Sequence, residues 1–358
     1  MLLRILYILL AILFFGIMVA IHEFGHFFTA KLLKVKVNEF AIGMGPALWS
    51  KTKGETQYSF RAFPIGGYCA MEGEDEATGD PRAFAAQSWW KKLIILVGGS
   101  FMNVELGLVI VLLLYSGVNA VRSPVITQLA DGFALEGEDG LMVGDRIVSV
   151  DGRVVLVYSD LITFLNQNDG SGIDLVIERD GERIELNDFP MSRIEYEYDG
   201  QTNEGFGLIF GQMEELNAWG RVKLSVAQTA DFVRIVWMGL GDLISGQMGL
   251  GEMSGIIGIV DAVGDAGTAS TSVWDGFLNV LYFVAFISVN LAVMNLLPIP
   301  ALDGGRIFFV LVNAVIYLFT RKSIPAKYEG YVHTAGFLLL IALMVVVAFN
   351  DVWKIFFA

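Results

Sequence analysis

His22 and His26 stand four residues apart with Glu23 directly after the first, in His22-Glu23-Phe24-Gly25-His26. On a helix each residue turns about 100°, so positions i and i+4 lie about 40° apart on one face. Two neutral imidazoles placed so reach one zinc ion, and the carboxylate beside the first is placed to take a proton from a water held there. The chain has three His, and two of them form this pair. A buried His is more often a hydrogen-bonded core residue than a ligand. A Glu and two His inside a membrane-type helix are nevertheless costly and need a reason. A zinc hydrolase takes a third protein ligand and leaves one position open for water. The candidate is Asp303, in Asn295-Leu-Leu-Pro-Ile-Pro-Ala-Leu-Asp303-Gly304-Gly305-Arg306. Pro298 and Pro300 stop a helix there, and the two glycines permit a backbone path that turns the carboxylate inward. The plain alternative is a polar Asp-Gly turn. His333 is a rival third ligand, alone near the start of the last apolar run, and its expected place is at the surface or an interface. The single Cys69 rules out a Cys-based zinc site and an internal disulfide framework.

The element that must carry the His pair is an apolar run beginning at Leu2. Of the 358 residues 54% are hydrophobic and 17% charged, below the roughly 25% of soluble domains, which is the balance of a membrane protein. Net charge is −14, which argues against a nucleic-acid partner, and the composition points to the lipid bilayer as the surrounding. Arg4 gives residues 2–21 a weak signal-peptide character. No small-x-small cleavage site follows, so a retained transmembrane helix is expected over 1–33. Residues 34–92 are Lys- and Arg-rich, short in pattern and punctuated by Gly43, Gly45, Gly66 and Gly67, the pattern of a β-rich segment beside the membrane. A second span is expected over 93–120. Residues 121–200 are acidic with regular turn signals, as in a compact domain with an Asp180-Gly181 hairpin. An amphipathic helix and a Gly-rich, loop-like or re-entrant stretch are expected over 201–273, a third span over 274–305, a loop over 306–332 and a fourth span over 333–358. Region 121–275 holds 26 acids against nine bases, whereas basic residues crowd 31–92 and the stretch with Arg306, Arg321, Lys322 and Lys327. The positive-inside rule then puts the two basic stretches in the cytoplasm, and the N-terminus, the acidic domain and the C-terminus outside.

The chain resembles the site-2 protease family of intramembrane zinc metalloproteases, in particular its PDZ-containing bacterial regulatory branch (RseP-like). The residues that carry the resemblance are His22-Glu-Phe-Gly-His26, Phe40-x-x-Gly43-x-Gly45-Pro46, Pro64-Ile-Gly-Gly-Tyr68, Gly99-x-x-x-Asn103, Gly144-Asp-x-Ile147, Ser254-Gly-x-Ile-Gly258, Ser288-x-Asn290-x-x-x-x-Asn295 and Leu302-Asp-Gly-Gly305. The paired H-E-x-x-H and L-D-G motifs are the specific part. The resemblance implies Zn2+ held by His22, His26 and Asp303, with Glu23 as general base. It implies substrate contacts at Asn290, Asn295, Asn103, Gly43, Gly45, Gly66 and Gly67, with the segment 38–71 pairing to an unwound substrate as an added strand. The fold implied is an α-helical polytopic membrane protein of about four transmembrane helices, with a membrane-associated β-hairpin region and one extracytoplasmic PDZ-like α+β domain over 121–200. The location implied is the bacterial inner membrane. The substrates implied are single-span transmembrane proteins, such as anti-sigma factors or remnant signal peptides, after an upstream site-1-type protease has trimmed their ectodomain. Two departures stand out: Ser100 follows Gly99, and Glu105 lies inside the second apolar span. Two other readings fit parts of the pattern, a catalytically inactive PDZ scaffold in the membrane and a membrane-anchored zincin acting on non-membrane substrates.

Overall fold

The computed structural model describes residues 2–357 apart from 75–77, 169–171, 199, 248, 250–254, 271, 323 and 325. In chain order the elements are α1 (Leu2–Leu32), β1 (Val37–Lys53), β2 (Thr56–Met71) and α2 (Trp89–Tyr115). Then come β3 (Ala120–Arg122), β4 (Gln128–Leu129), β5 (Arg146–Val150), β6 (Arg153–Val154), α3 (Tyr158–Gln167), β7 (Ile173–Arg179) and β8 (Glu182–Phe189). These are followed by β9 (Ile194–Tyr198), β10 (Gln201–Gly205), β11 (Leu208–Ile209), β12 (Met213–Glu215) and α4 (Ala218–Ser245). The last four are α5 (Ile256–Thr268), α6 (Val273–Asn295), α7 (Asp303–Thr320) and α8 (Ala326–Phe357). They fall into two compact units, one of Met1–Val111 with Phe232–Ala358 and one of Leu112–Asp231.

Among the described residues of the first unit, five helices are long and apolar enough to cross a membrane: α1, α2, α6, α7 and α8. About four transmembrane helices were expected, and the additional apolar helix is α7. The loop expected over 306–332 is instead helix α7 and the start of α8. The cations at the two ends, Arg306 and Arg321-Lys322, dominated the sequence reading, while the residues between them form an uncharged apolar run. At 18 residues α7 is the shortest of the five, about 27 Å long against a hydrocarbon core of about 30 Å.

β1 and β2 form a long two-stranded arrangement closed by Gly54 at φ 64°. Residues Glu39–Ile42 face β2 twice, against Gln57–Phe60 and against Gly67–Ala70. That double pairing folds the hairpin back on itself. Glu39 ties it together: Oε1 accepts from Ser59 Oγ at 2.6 Å and from Arg61 Nη2 at 2.7 Å. Burial pushes the Glu39 carboxyl up, and hydrogen bonds from Ser59, Arg61 and Tyr68 outweigh it, so its pKa lies below the ordinary value. The base of the hairpin is fixed by one apolar cluster. Val37, Cys69 and Met71 pack there with Ala30 of α1 and with Ile95 and Leu96 of α2, and Ile307 and Val310 of α7 lie against them. β2 therefore passes beside the helix that carries the His pair.

α5 occupies part of the stretch expected as Gly-rich loops, and Ser254 of that motif lies outside the described residues. Its N-terminus is capped from α8, where the buried Asp351 carboxylate accepts from Gly255 N–H at 3.0 Å and Gly258 N–H at 2.9 Å. A carboxylate there meets the unpaired amides of a first helical turn.

The second unit contains the antiparallel sheet β6-β5-β7-β8 with α3 as its helix. The expected Asp180-Gly181 turn joins β7 and β8, with φ 51° and 82°, as a two-residue hairpin requires. Arg179 is bound to the buried Asp145 at 2.7 Å and to the carbonyls of Glu138 and Gly140 at 2.8 and 2.7 Å. It thereby anchors the acidic 135–140 loop.

Candidate metal centre

The α1 helix puts His22 and His26 on one face, as their spacing requires, and both are buried, 7% and 6% exposed. Their Nε2 atoms lie 3.2 Å apart. Asp303 opens α7 immediately after the break that ends α6, and its Oδ2 lies 3.1 Å from His22 Nε2 and 3.2 Å from His26 Nε2. Two residues 281 positions apart along the chain thus meet at a triangle of three donor atoms.

Glycines make this approach possible. A Cβ on Gly304 or Gly305 would run into the carbonyls of Leu296, Leu297 and Ile299, so the first turn of α7 folds tightly over the end of α6. A Cβ on Gly25 would strike the Gly98 carbonyl, so α1 and α2 cross at backbone distance. One residue on, a Cβ on Gly99 would press on His26 Nε2 and lie 2.8 Å from His22 Cε1. The space beside Gly99 is filled by the two imidazoles.

Both rings are held from behind. His26 Nδ1–H donates to the Ile95 carbonyl at 2.9 Å, which fixes the tautomer and leaves Nε2 with its lone pair. Asn103, expected among the substrate contacts, is fully buried and offers no surface to a substrate. Its amide lies 3.3 Å from His22 Nδ1 instead, and its Oδ1 is a buried atom without a partner. A half-turn of that amide gives Oδ1 the His22 Nδ1–H and leaves His22 Nε2 bare as well. Ser288 of α6 donates to the Asn103 carbonyl at 2.8 Å and ties α6 to α2.

The donor set fits zinc. Bonds of about 2.0–2.1 Å in a tetrahedral site place ligand atoms roughly 3.3–3.4 Å apart. The triangle measured here has edges of 3.1, 3.2 and 3.2 Å. Two imidazole nitrogens and one carboxylate oxygen leave a fourth, open position.

The remaining sequence-based candidates divide. Asn295, at the end of α6, brings its amide to 3.5 Å from His22 Nε2. Gly67 of β2 lies beside Glu23, where an added Cβ would be 3.3 Å from Glu23 Cγ. Gly43, Gly45 and Gly66 have φ of 88°, 83° and 86° and shape the hairpin. Asn290 is half-buried on α6. His333, the rival third ligand, lies outside the donor triangle, and its Nδ1 accepts from the Ala301 N–H, in the break that precedes Asp303. Sequence reasoning gave no sign of the Ile95 carbonyl behind His26. Gly99 and Ser288 stood in motifs of the resemblance, but their contacts with the imidazoles and with Asn103 were not read from them.

The sequence profile of peptidase family M50 matches residues 10–343. The chain belongs to peptidase family M50, the site-2 proteases. As a member of that family it is a zinc metalloprotease of the membrane, with several long apolar helices. It is 35% identical over 346 residues to a Clostridium acetobutylicum protein whose name proposes a zinc metalloprotease, with 96% of this chain and 97% of that protein covered. It is 28% identical over 433 residues to the zinc metalloprotease RasP of Oceanobacillus iheyensis, covering 96% and 98%. It is 27% identical over 430 residues to the regulator of sigma-W protease RasP of Bacillus subtilis, covering 96% and 97%. The M50 assignment spans both the helix of the His pair and the helix break of Asp303.

Proposed function

We propose that this M50 protease hydrolyses peptide bonds inside transmembrane segments of single-span proteins, with His22, His26 and Asp303 as the zinc ligands and Glu23 as the general base. The observation that carries this reading is the donor triangle of two buried His and the partly buried Asp303, with Glu23 on the His helix, inside a run apolar enough to cross a bilayer. When bound, zinc supplies a Lewis acid that polarises the scissile carbonyl and makes a water acidic enough to attack. Glu23 takes the proton of that water at its carboxylate and delivers it to the leaving amide nitrogen. Asn295 donates from its amide toward developing negative charge at the scissile carbonyl. Asn103 and the Ile95 carbonyl keep both imidazoles in the orientation that ligation needs.

A helical substrate shields its peptide bonds, so it must unwind, and the freed backbone groups need partners inside the membrane. The stretch of β2 around Gly67 supplies them by strand addition, because it runs beside Glu23. The PDZ-like domain over 121–200, within the unit Leu112–Asp231, serves as an extracytoplasmic size filter that admits substrates only after an upstream protease has shortened their ectodomain. Substrates of the anti-sigma-factor or remnant-signal-peptide kind fit that filter.

The basic ends of α7 support a four-crossing topology in the bacterial inner membrane. Arg306 lies in its first turn and Arg321-Lys322 follow its end. Cations at both ends hold a helix of about 27 Å along the cytoplasmic interface instead of across the bilayer.

The test is reconstitution of the purified protease in vesicles with a tagged single-span reporter, and mass spectrometry of the products. Cleavage within the apolar segment is expected. Cuts confined to the soluble flank would favour a membrane-anchored zincin, and no zinc-dependent cleavage of any shortened reporter would favour a scaffold.

A further inference from the structure

His333 belongs to α8, but its side chain serves the break that carries Asp303. Its Nδ1 accepts a hydrogen bond from the Ala301 N–H at 2.9 Å. Ala301 stands at φ 77°, a left-handed conformation that residues with a Cβ rarely adopt and that the surroundings must enforce. One turn further along α8, Gly336 meets the same break: a Cβ there would press on Pro300 Cβ and lie 2.9 Å from its carbonyl oxygen. His333 and Gly336 are three apart, hence neighbours on one helix face. That face is shaped to Pro300-Ala301 by one hydrogen bond and one missing side chain.

The ring itself is fixed. An imidazole that accepts at Nδ1 carries its proton at Nε2 when neutral. Glu329 Oε1 lies 3.9 Å from that Nε2, one turn earlier on the same helix. The ring of Phe309, from α7, stands 5.6 Å away centroid to centroid. Within the break the remaining backbone bonds are short-range, Ile299 N–H to Leu297 O at 2.7 Å and Leu302 N–H to Ile299 O at 3.2 Å. The bond from Ala301 reaches another helix.

We propose that His333 is a positioning residue of the metal centre: it holds Ala301 in its left-handed conformation and so fixes Asp303, two residues on, against His22 and His26. This rests on the reading of Asp303 as the third ligand. Without an acceptor at Nδ1 the Ala301 peptide gives its N–H to water and is free to relax toward ordinary φ values. The Asp303 carboxylate then leaves the triangle of 3.1–3.2 Å edges.

The experiment compares the full-length protein with His333→Phe, which fills the space without an acceptor, and His333→Asn, whose Oδ1 reaches the place of Nδ1. Zinc retention is measured by chelator competition and hydrogen exchange on peptides spanning 299–303, with the thermal midpoint as the control for folding. We expect the Phe variant to hold zinc roughly tenfold more weakly, as for the loss of a partner that orients a ligand, with faster exchange across the break. The Asn variant should return to within about threefold of the parent. A Phe variant that holds zinc as tightly as the parent overturns the proposal, and so does an Asn variant as weak as Phe. His333→Ser takes the place of the Phe variant if that one fails to accumulate. Asp303→Ala is run in parallel: if it keeps zinc, the ligand assignment itself fails. If it loses zinc while His333→Phe does not, only the role of His333 fails.

Discussion

Gly99 of α2 and His26 of α1 are so close that no side chain fits between them: an added Cβ would press on Nε2, one corner of the donor triangle. The same Cβ would meet His22 at 2.8 Å. The first prediction follows. Gly99→Ala should shift both imidazoles, loosen zinc and cut proteolysis by about 10²-fold or more, the usual cost of displacing reacting groups by about 1 Å. Overpacking at a helix crossing adds about 1–3 kcal/mol of destabilisation. The adjacent Ser100 is the control. Its hydroxyl is buried without a hydrogen-bond partner, so Ser100→Ala should be neutral or stabilising within about 1 kcal/mol. Zinc content and thermal midpoints of the two variants check both halves. Equal behaviour would mean that the glycine does not shape the site.

Glu23 follows His22 in sequence and is not one of the three donors. Glu23→Gln should therefore keep about one zinc per chain while cleavage falls by about 10²–10⁴-fold, the range for losing a general base. Metal analysis of the purified variant beside a reporter assay decides this. Zinc loss would make Glu23 a ligand.

What the sequence reveals here depends on how local the cause is. The pairing of His22 and His26 is one helical turn and could be read directly, as could the Asp180-Gly181 turn, which demands two left-handed residues. Asp303 was within reach because two prolines and two glycines mark a break. The partners of these residues were not. Ile95 contributes a carbonyl, which every residue has, and nothing in its type marks it. Ser288 and His333 act across distances of 185 and 32 residues. Helix α7 was misread because the charges at its ends outweighed the apolar run between them. The resemblance places Asn103 with the substrate contacts, and no local feature of the sequence shows that its amide faces His22 Nδ1.

Asp303 supplies the one anionic donor of the triangle. Asp303→Asn keeps the size and removes the charge, so zinc affinity and activity should fall together. Asp303→Ala should abolish activity while membrane insertion and accumulation stay near the parent level, because the loss is local to the site. Chelator titration and membrane fractionation check the pair. A zinc-replete, active Ala variant would break the link between α1 and α7 at the metal.

Asp351 makes a separate, structural prediction. Its buried carboxylate caps α5 from α8 through Gly255 and Gly258. Asp351→Ala leaves those amides unpaired and should cost about 1–2 kcal/mol, as for other lost N-caps. The thermal midpoint should drop while zinc stoichiometry stays at the parent value. Loss of zinc without loss of stability would assign Asp351 to the metal centre instead.

The last prediction concerns orientation. The hairpin turn at Lys53, the turn at Asp180 and the end of α8 at Lys354 are exposed positions, each suited to a single introduced cysteine. The native Cys69 is buried, and burial pushes its thiol up, so its background reaction with a membrane-impermeant maleimide is low. With α7 lying along the cytoplasmic interface and four helices crossing, Lys53→Cys should be protected in intact cells while Asp180→Cys and Lys354→Cys react. If α7 crosses as a fifth span, the C-terminus changes side, and Lys354→Cys becomes protected while Asp180→Cys still reacts. Reaction at Lys53→Cys with protection at Asp180→Cys would invert the whole arrangement. The hairpin that runs beside Glu23 would then face outward, and the catalytic face with it.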